Sequence, residues 1–280
     1  MTFPHDQATP ARTLAADRLA GWIERRIETT PNRQLLQHEL DRITTKERLL
    51  RFLHRFLLFN DALAARVPFL AGRLHLTQGV FAAPGEAPAF SRLRNGTIAA
   101  YVAEAASDEY RMTSDRNLVH QHLSQRFFDA VLAFLGEDPA RFDQTHSVPT
   151  PTQTMLDEAR TALLTGDDPD QLLAALGFHL GLEFFANEEF TLVDTWLRTH
   201  QPELVAALEQ GHAEDNAYSW LTIHTVVEIH HYRAGLEAVK TATRFCTLPD
   251  AETRVPALVR HGLDTFVDLQ RRFYGAILAE

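Results

Sequence analysis

The sequence predicts an all-α fold. Three observations carry that prediction. Apolar residues recur at helical spacing from about Ala11 to Leu278. No run alternates polar and apolar residues convincingly enough for a strand. Proline, glycine and Asx residues fall between the periodic segments, where helices must start and stop.

Residues 1–10 lack a pattern and are expected to form a flexible N-terminal segment, with residues 11–280 forming one helical domain. The first helix is expected from Ala11 to Glu28. A second, about Lys46–Val67, carries the apolar stripe Leu49, Phe52, Leu53, Phe56, Leu57 and Leu63, and Pro68 should end or kink it. Pro84, Gly85 and Pro88 then break the chain. Helices follow at about Leu93–Glu109 and Asp115–Leu135, the second closed by Gly136. Residues 137–151 hold three prolines and read as a linker within the domain.

A helix at about Thr152–Leu164 leads to Gly166-Asp167-Asp168-Pro169-Asp170, which reads as a turn and helix cap. The most apolar helix comes next, about Gln171–Asn187, continuing or kinking into Glu188–Arg198. A short helix follows Pro202, another spans about Asn216–Phe245, and an amphipathic one covers Val255–Leu278.

A net charge of −10 argues against a nucleic-acid partner. No apolar run is long enough to cross a bilayer, and the N-terminus does not read as a signal peptide, so a cytoplasmic location is expected. The single cysteine, Cys246, excludes an internal disulfide framework and a multi-cysteine zinc site, and is expected to be a packed thiol. No phosphate-binding glycine loop or nucleophile elbow occurs. Fourteen histidines are many for 280 residues.

The segment with most chemical content is His224-Thr225-Val226-Val227-Glu228-Ile229-His230-His231, which holds H-x-x-x-E-x-x-H. In a helix, positions i, i+4 and i+7 share a face, so His224, Glu228 and His231 form one strip. Trp220, Leu221, Ile223, Val226, Val227 and Ile229 suggest that the strip is buried. Two imidazoles and a carboxylate suit non-haem iron or manganese. A polar surface strip with hydrogen-bonded histidines is the competing explanation.

Glu183 sits among Leu182, Phe184 and Phe185, and carboxylates are rarely buried without a partner. A metal or a buried salt bridge would explain it. Glu188 and Glu189 are expected to be solvated, with Glu189 the fallback ligand; His179, one turn before Glu183, either supports the site or faces a neighbouring helix. Periodicity also separates two histidines. His120 shares a face with Leu123, Phe127, Val131 and Phe134, whereas His122 shares one with Gln125, Arg126 and Asp129, so His120 is the inward ligand candidate. Glu109 or Glu104 could supply a further carboxylate, or either could cap a solvated helix end. The remaining histidines, including His38 and His54, lack metal spacing.

In order, Asp108-Glu109, His120, Glu183 and His224-x-x-x-Glu228-x-x-His231 resemble the haem-oxygenase-like diiron oxidases and oxygenases, related in fold to the TenA and PqqC proteins. The resemblance spans about Leu93–Phe245. The chain departs from the family where Asp-Glu-x-Gly is usual, reading Asp108-Glu109-Tyr110-Arg111, and where aspartate more often stands at Glu228. It implies a seven-helix bundle holding two irons, with Glu109, His120, Glu183, His224, Glu228 and His231 as ligands. Glu183 and Glu228 would be the carboxylates that change binding mode during catalysis.

The function implied is O₂-dependent oxidation of a small amine, amino acid or carboxylic acid, by N-oxygenation or by C–C or C–N cleavage, with an external electron donor. A homodimer is left open. Phe178, Phe184, Phe185, Tyr218 and Trp220 are candidates to line the substrate pocket, and Arg111 and Arg233 to grip a substrate carboxylate. The alternatives are a metal-free enzyme of the TenA or PqqC type and a non-enzymatic helical binding protein.

Overall fold

The structure is a computed structural model that describes residues 8–77, 79–82, 86–109, 119–145, 147–164, 166, 168–211 and 216–279. Within it the described elements are twelve α-helices: α1 (Pro10–Glu28), α2 (Asn32–Asp41), α3 (Lys46–Ala64), α4 (Val67–Leu76), α5 (Pro88–Glu109), α6 (His120–Phe134), α7 (Pro139–Thr145), α8 (Thr150–Thr161), α9 (Pro169–His200), α10 (Pro202–Leu208), α11 (Ser219–Phe245) and α12 (Ala251–Ala276). Among the described residues the only β pairing is one isolated bridge between Phe81 and Cys246, and no helix is long and apolar enough to cross a membrane.

Local chemistry explains most boundaries. Thr9 accepts a hydrogen bond from Arg12 N at the start of α1, and Thr45 does the same for Arg48 N at α3. Asp168 caps α9 through Asp170 N, with Pro169 in the first turn, where its missing N–H costs nothing. Pro68 sits in the first turn of α4 for the same reason; the expected helix ends at Ala64, and α4 is a separate helix that was not expected. Two further short helices lay outside the expectation. Asn32–Asp41 is α2, and α7 occupies part of the expected linker. The last helix starts at Ala251, four residues earlier than expected, and carries Pro256 inside it.

The central framework is α9 packed between α11 and α12. Helix α9 continues unbroken through Asn187: its 32 residues form one helix, about 48 Å long at 1.5 Å per residue. Two glycines set its distance from α12. A Cβ on Gly177 would lie 2.0 Å from Val259 O, and one on Gly262 would lie 1.8 Å from Ala174 O, so only glycine permits this backbone approach. On the other side, Asn187 Nδ2 donates to Thr225 O at 3.1 Å, tying α9 to α11. Helices α3 and α6 pack together beside this pair, and α6 also touches α11.

The core is mainly apolar, with Phe52, Phe56, Phe59, Phe127, Phe190 and Trp220 among its largest fully buried side chains. Polar residues inside such a core must be paired or held by a ligand. Those along the α9–α11 contact define the candidate site.

Candidate metal centre

Helix α11 presents His224, Glu228 and His231 inward on one strip; all three are buried. His230 faces solvent, as the 100° step per residue requires. The apolar surroundings are less complete than expected, because Val226 is 62% exposed on the outer face. Helix α9 delivers Glu183 from the opposite side, 4% exposed. One ligand atom each from Glu183, Glu228 and His231 lies within 4.8 Å of the others.

The contacts form a continuous string. His179 Nδ1 lies 3.1 Å from Glu183 Oε1, and His231 Nδ1 lies 3.4 Å from Glu183 Oε2 and 3.2 Å from Glu228 Oε2. Glu228 Oε1 is 3.8 Å from His224 Nε2, which is 3.2 Å from His120 Nδ1. His120 Nε2 is 3.3 Å from Asp61 Oδ1. Phe190 stacks on the His224 ring with centroids 4.3 Å apart.

Electrostatics divide this string. Burial raises the Glu183 carboxyl, but the imidazoles of His179 and His231 outweigh it and hold the group well below the usual carboxylate range. Burial and the charge of Glu183 push Glu228 well above that range. Burial opposes protonation of His231, yet its hydrogen bonds to Glu183 and Glu228 lift it to about 11. Burial, with His120 alongside, lowers His224 to about 3. The cluster therefore favours charge at Glu183 and His231 and disfavours it at Glu228 and His224.

A cavity of about 20 Å³ opens between His120, His224, Glu228, Glu183, Asn60 and Phe190. That is room for one water or one ion. A larger cleft, about 320 Å³, lies between α8, α9 and α12 beside Phe178, Gln171 and His261, and none of the clustered residues lines it.

Of the residues read from sequence, His120, Glu183, His224, Glu228 and His231 come together. The side chain of Glu109 lies outside the described residues, as does Arg111; Glu104 is exposed. His122 is exposed, in keeping with its polar face. Arg233 is exposed and does not reach the cluster. The aromatic candidates mostly pack elsewhere: Phe185 against Phe266, Phe184 against Tyr232, and Phe178 at the larger cleft. Phe190 is the aromatic that lines the small cavity, along with Asn60.

Glu189 requires a correction. It is not solvated but 4% exposed, and it stands outside the cluster. Tyr274 Oη and Gln270 Nε2 both donate to its Oε2, the latter at 3.0 Å. Gln270 in turn accepts from Asn32 Nδ2 at 2.8 Å. Burial raises Glu189 to about 7, against the hydrogen bonds from Tyr274, Asn60 and Gln270.

Asp61 was not anticipated. The signal was present in α3, whose apolar stripe continues through Leu53 and Phe56 to Asn60 and through Leu57 to Asp61. Polar residues at those two positions interrupt an otherwise apolar face. No protein-family model matches the chain, and no curated protein sequence matches it.

Proposed function

We propose that this protein is a non-haem diiron oxidase or oxygenase of the haem-oxygenase-like seven-helix type, acting on a small amine, amino acid or carboxylic acid. The observation that carries the reading is the convergence of Glu183, Glu228 and His231 from two apolar helices, with His224 and His120 directly beyond them. The donor set fits a divalent transition metal, since carboxylate oxygens and imidazole nitrogens together suit iron or manganese.

Glu183, Glu228 and His231 would hold one metal ion, and His224 and His120 would supply nitrogen to a second. When bound, such a centre supplies reduction of O₂ and oxidation of an organic substrate. The chain's own residues have three tasks. Glu183 and His231 keep charge in a core where an unpaired ion is costly. Phe190 and Trp220 keep bulk water from the imidazoles. Asn187 holds α11 against α9, so the two ligand-bearing helices keep their spacing.

A second reading has its own support. The protons already balance the charges within the cluster, and the adjoining cavity of about 20 Å³ cannot admit an organic substrate. Those two features suit a metal-free binding protein or a TenA-like or PqqC-like enzyme with a structural polar core. The deciding experiment is anaerobic reconstitution with Fe(II), metal analysis, then oxygen uptake with panels of amines, amino acids and fatty acids. Two irons per chain with substrate-dependent uptake is the expected result. Protein that retains no iron after desalting overturns the diiron reading, and full occupancy without oxygen uptake leaves a metal-binding protein.

A further inference from the structure

Glu189 lies between two small cavities. The inner one, about 20 Å³, is the space among His120, His224, Glu183 and Glu228, and Asn60 forms part of its wall. Asn60 also hydrogen-bonds the Glu189 carboxyl. The outer one, about 10 Å³, is lined by Glu189, Asn32, Gln270 and Tyr274, with Arg33 and Glu188 beside them. The Arg33 side chain is 61% exposed and its Nη1 lies 3.9 Å from Glu188 Oε1, so the outer cavity adjoins the surface.

One backbone carbonyl fixes the wiring around the outer cavity. Val267 O can only accept, so the Asn32 atom 3.0 Å from it is Nδ2. The same Nδ2 lies 2.8 Å from Gln270, whose facing atom must then be Oε1. Gln270 Nε2 in consequence points at Glu189 Oε2, 3.0 Å away, and Tyr274 Oη donates to that oxygen as well. Two donors occupy Oε2, which leaves Oε1 to carry the carboxyl proton. The wiring leaves a remainder at its other end. Asn32 is 1% exposed, and its Oδ1 has no hydrogen-bond partner among the described residues. A buried acceptor beside a cavity the size of one water calls for a donor there.

Every residue lining the inner cavity is buried, and those that titrate are themselves the proposed ligands. Reduction of O₂ consumes protons, which must arrive through that wall. We propose that Glu189 is the proton carrier of the candidate centre: it takes protons from solvent by way of one water bound at Asn32 Oδ1 and delivers them beside Asn60 to the inner cavity. The proposal rests on reading the cluster as an oxygen-reducing metal centre, and it adds the route by which protons enter. In each passage an O–H bond at Glu189 breaks as one forms on water in the inner cavity. The carboxylate then takes a proton from the outer water, which regains one from solvent. No electron moves. Asn60 is a partition and not a carrier, because an amide does not exchange protons readily near neutral pH; water must meet the carboxyl alongside it. The surroundings of Glu189 suit the part. Tyr274, Arg33 and Glu188 are the titratable groups that share its outer cavity, and burial holds the carboxyl at about 7, where it both gains and loses a proton near neutrality.

The first test uses the metal-free full-length chain at mildly acid pH. The infrared band of the protonated Glu189 carboxyl is identified as the difference between wild type and Glu189→Gln, then followed after transfer to D₂O. It should shift to its deuterated position while the backbone amides of α9 remain protonated. Exchange only in step with those amides means that the carboxyl meets solvent by unfolding, and overturns the water port. The second test uses Fe(II)-loaded protein. Glu189→Gln should keep two irons per chain and lower the rate of oxygen uptake about 100-fold. In wild type the rate should fall as pH rises through about 7, and Glu189→Gln should lack that fall. Glu189→Asp should recover part of the rate, and Asn60→Leu, which fills the space beside the carboxyl with an apolar group, should lose it. Unchanged uptake in Glu189→Gln, or loss of its iron, overturns the proposal. A wild-type chain that takes up no iron overturns the diiron reading and the delivery step with it, while the exchange experiment still decides the port.

Discussion

Glu183 and Glu189 stand six residues apart on α9, each 4% exposed, and the protein treats them in opposite ways. Glu183 faces imidazoles that can carry charge, and it ionises more readily than a carboxylate in water. Glu189 faces a phenol and two amides, which offer hydrogen bonds but no positive charge, and burial lifts it to about 7. Equal burial thus yields a poised anion in one place and a proton store in the other. What decides is whether the neighbours can carry a compensating charge.

The sharpest way to break this comparison is to remove each carboxylate in metal-free protein. Glu183→Ala removes one of the two carboxylates beside His231 and leaves it with Glu228 alone. Breaking a buried ion pair on one side costs on the order of 3–5 kcal/mol, and urea unfolding at pH 7 should show a loss of that size. Glu189→Gln keeps an acceptor oxygen for Tyr274 and Gln270 and should cost about 1 kcal/mol or less by the same measurement. Equal losses would mean that the two sites do not differ as described.

The comparison sharpens with pH. Glu189 has a folded-state pKa above its unfolded value, so the folded chain binds its proton more tightly. Between about pH 4.5 and 7 that proton is present only in the folded state, and stability falls as pH rises through this window. The contribution is about 3 kcal/mol for a shift from 4.5 to about 7. Glu189→Gln should therefore flatten the stability profile between pH 5 and 7.5. Glu183 acts in the other direction: its contribution is present above the unfolded pKa and is lost as pH falls below about 4.5. Unfolding curves collected across pH 3.5–8 for both variants separate the two.

A smaller effect is expected from metal. At 100 times its dissociation constant, a ligand specific to the folded state adds about 2.7 kcal/mol. Glu189→Gln should keep that increment with Fe(II), and Glu183→Gln should lose most of it. The smallest effects belong to His122→Ala and His230→Ala, both exposed, which should stay within about 0.5 kcal/mol of wild type and retain metal.

The residues on which these predictions turn were unequally legible in the sequence. Helical spacing alone separated His120 from His122 and His231 from His230, because a face is a property of period. It also marked Glu183, since a carboxylate within Leu182-Glu183-Phe184 has no polar face to join. Spacing failed where tertiary contact decides. Glu189 follows Glu188, and the pair reads as a solvated edge; the structure buries one beneath Tyr274 of α12 and leaves the other half-exposed. Asp61 lies 59 residues before His120, and nothing local links them. The all-α class was readable throughout. Helix α2 was not, because its ten residues carry few apolar positions and depend on α9 and α12 for burial.

The close crossing of α9 and α12 has a consequence for how mutations spread. Gly177 lies six residues before Glu183, about 9 Å along the helix, and touches nothing in the cluster. An alanine at Gly177 or Gly262 meets backbone rather than a side chain that could swing away. The helices must part, and Glu183 lies on the same continuous helix as Gly177. Glu183 would be carried with it relative to Glu228 and His231. Two positions remote from any ligand therefore set the gap across which a cation would be gripped, so the tolerance of the centre to change is narrower than its ligand set suggests.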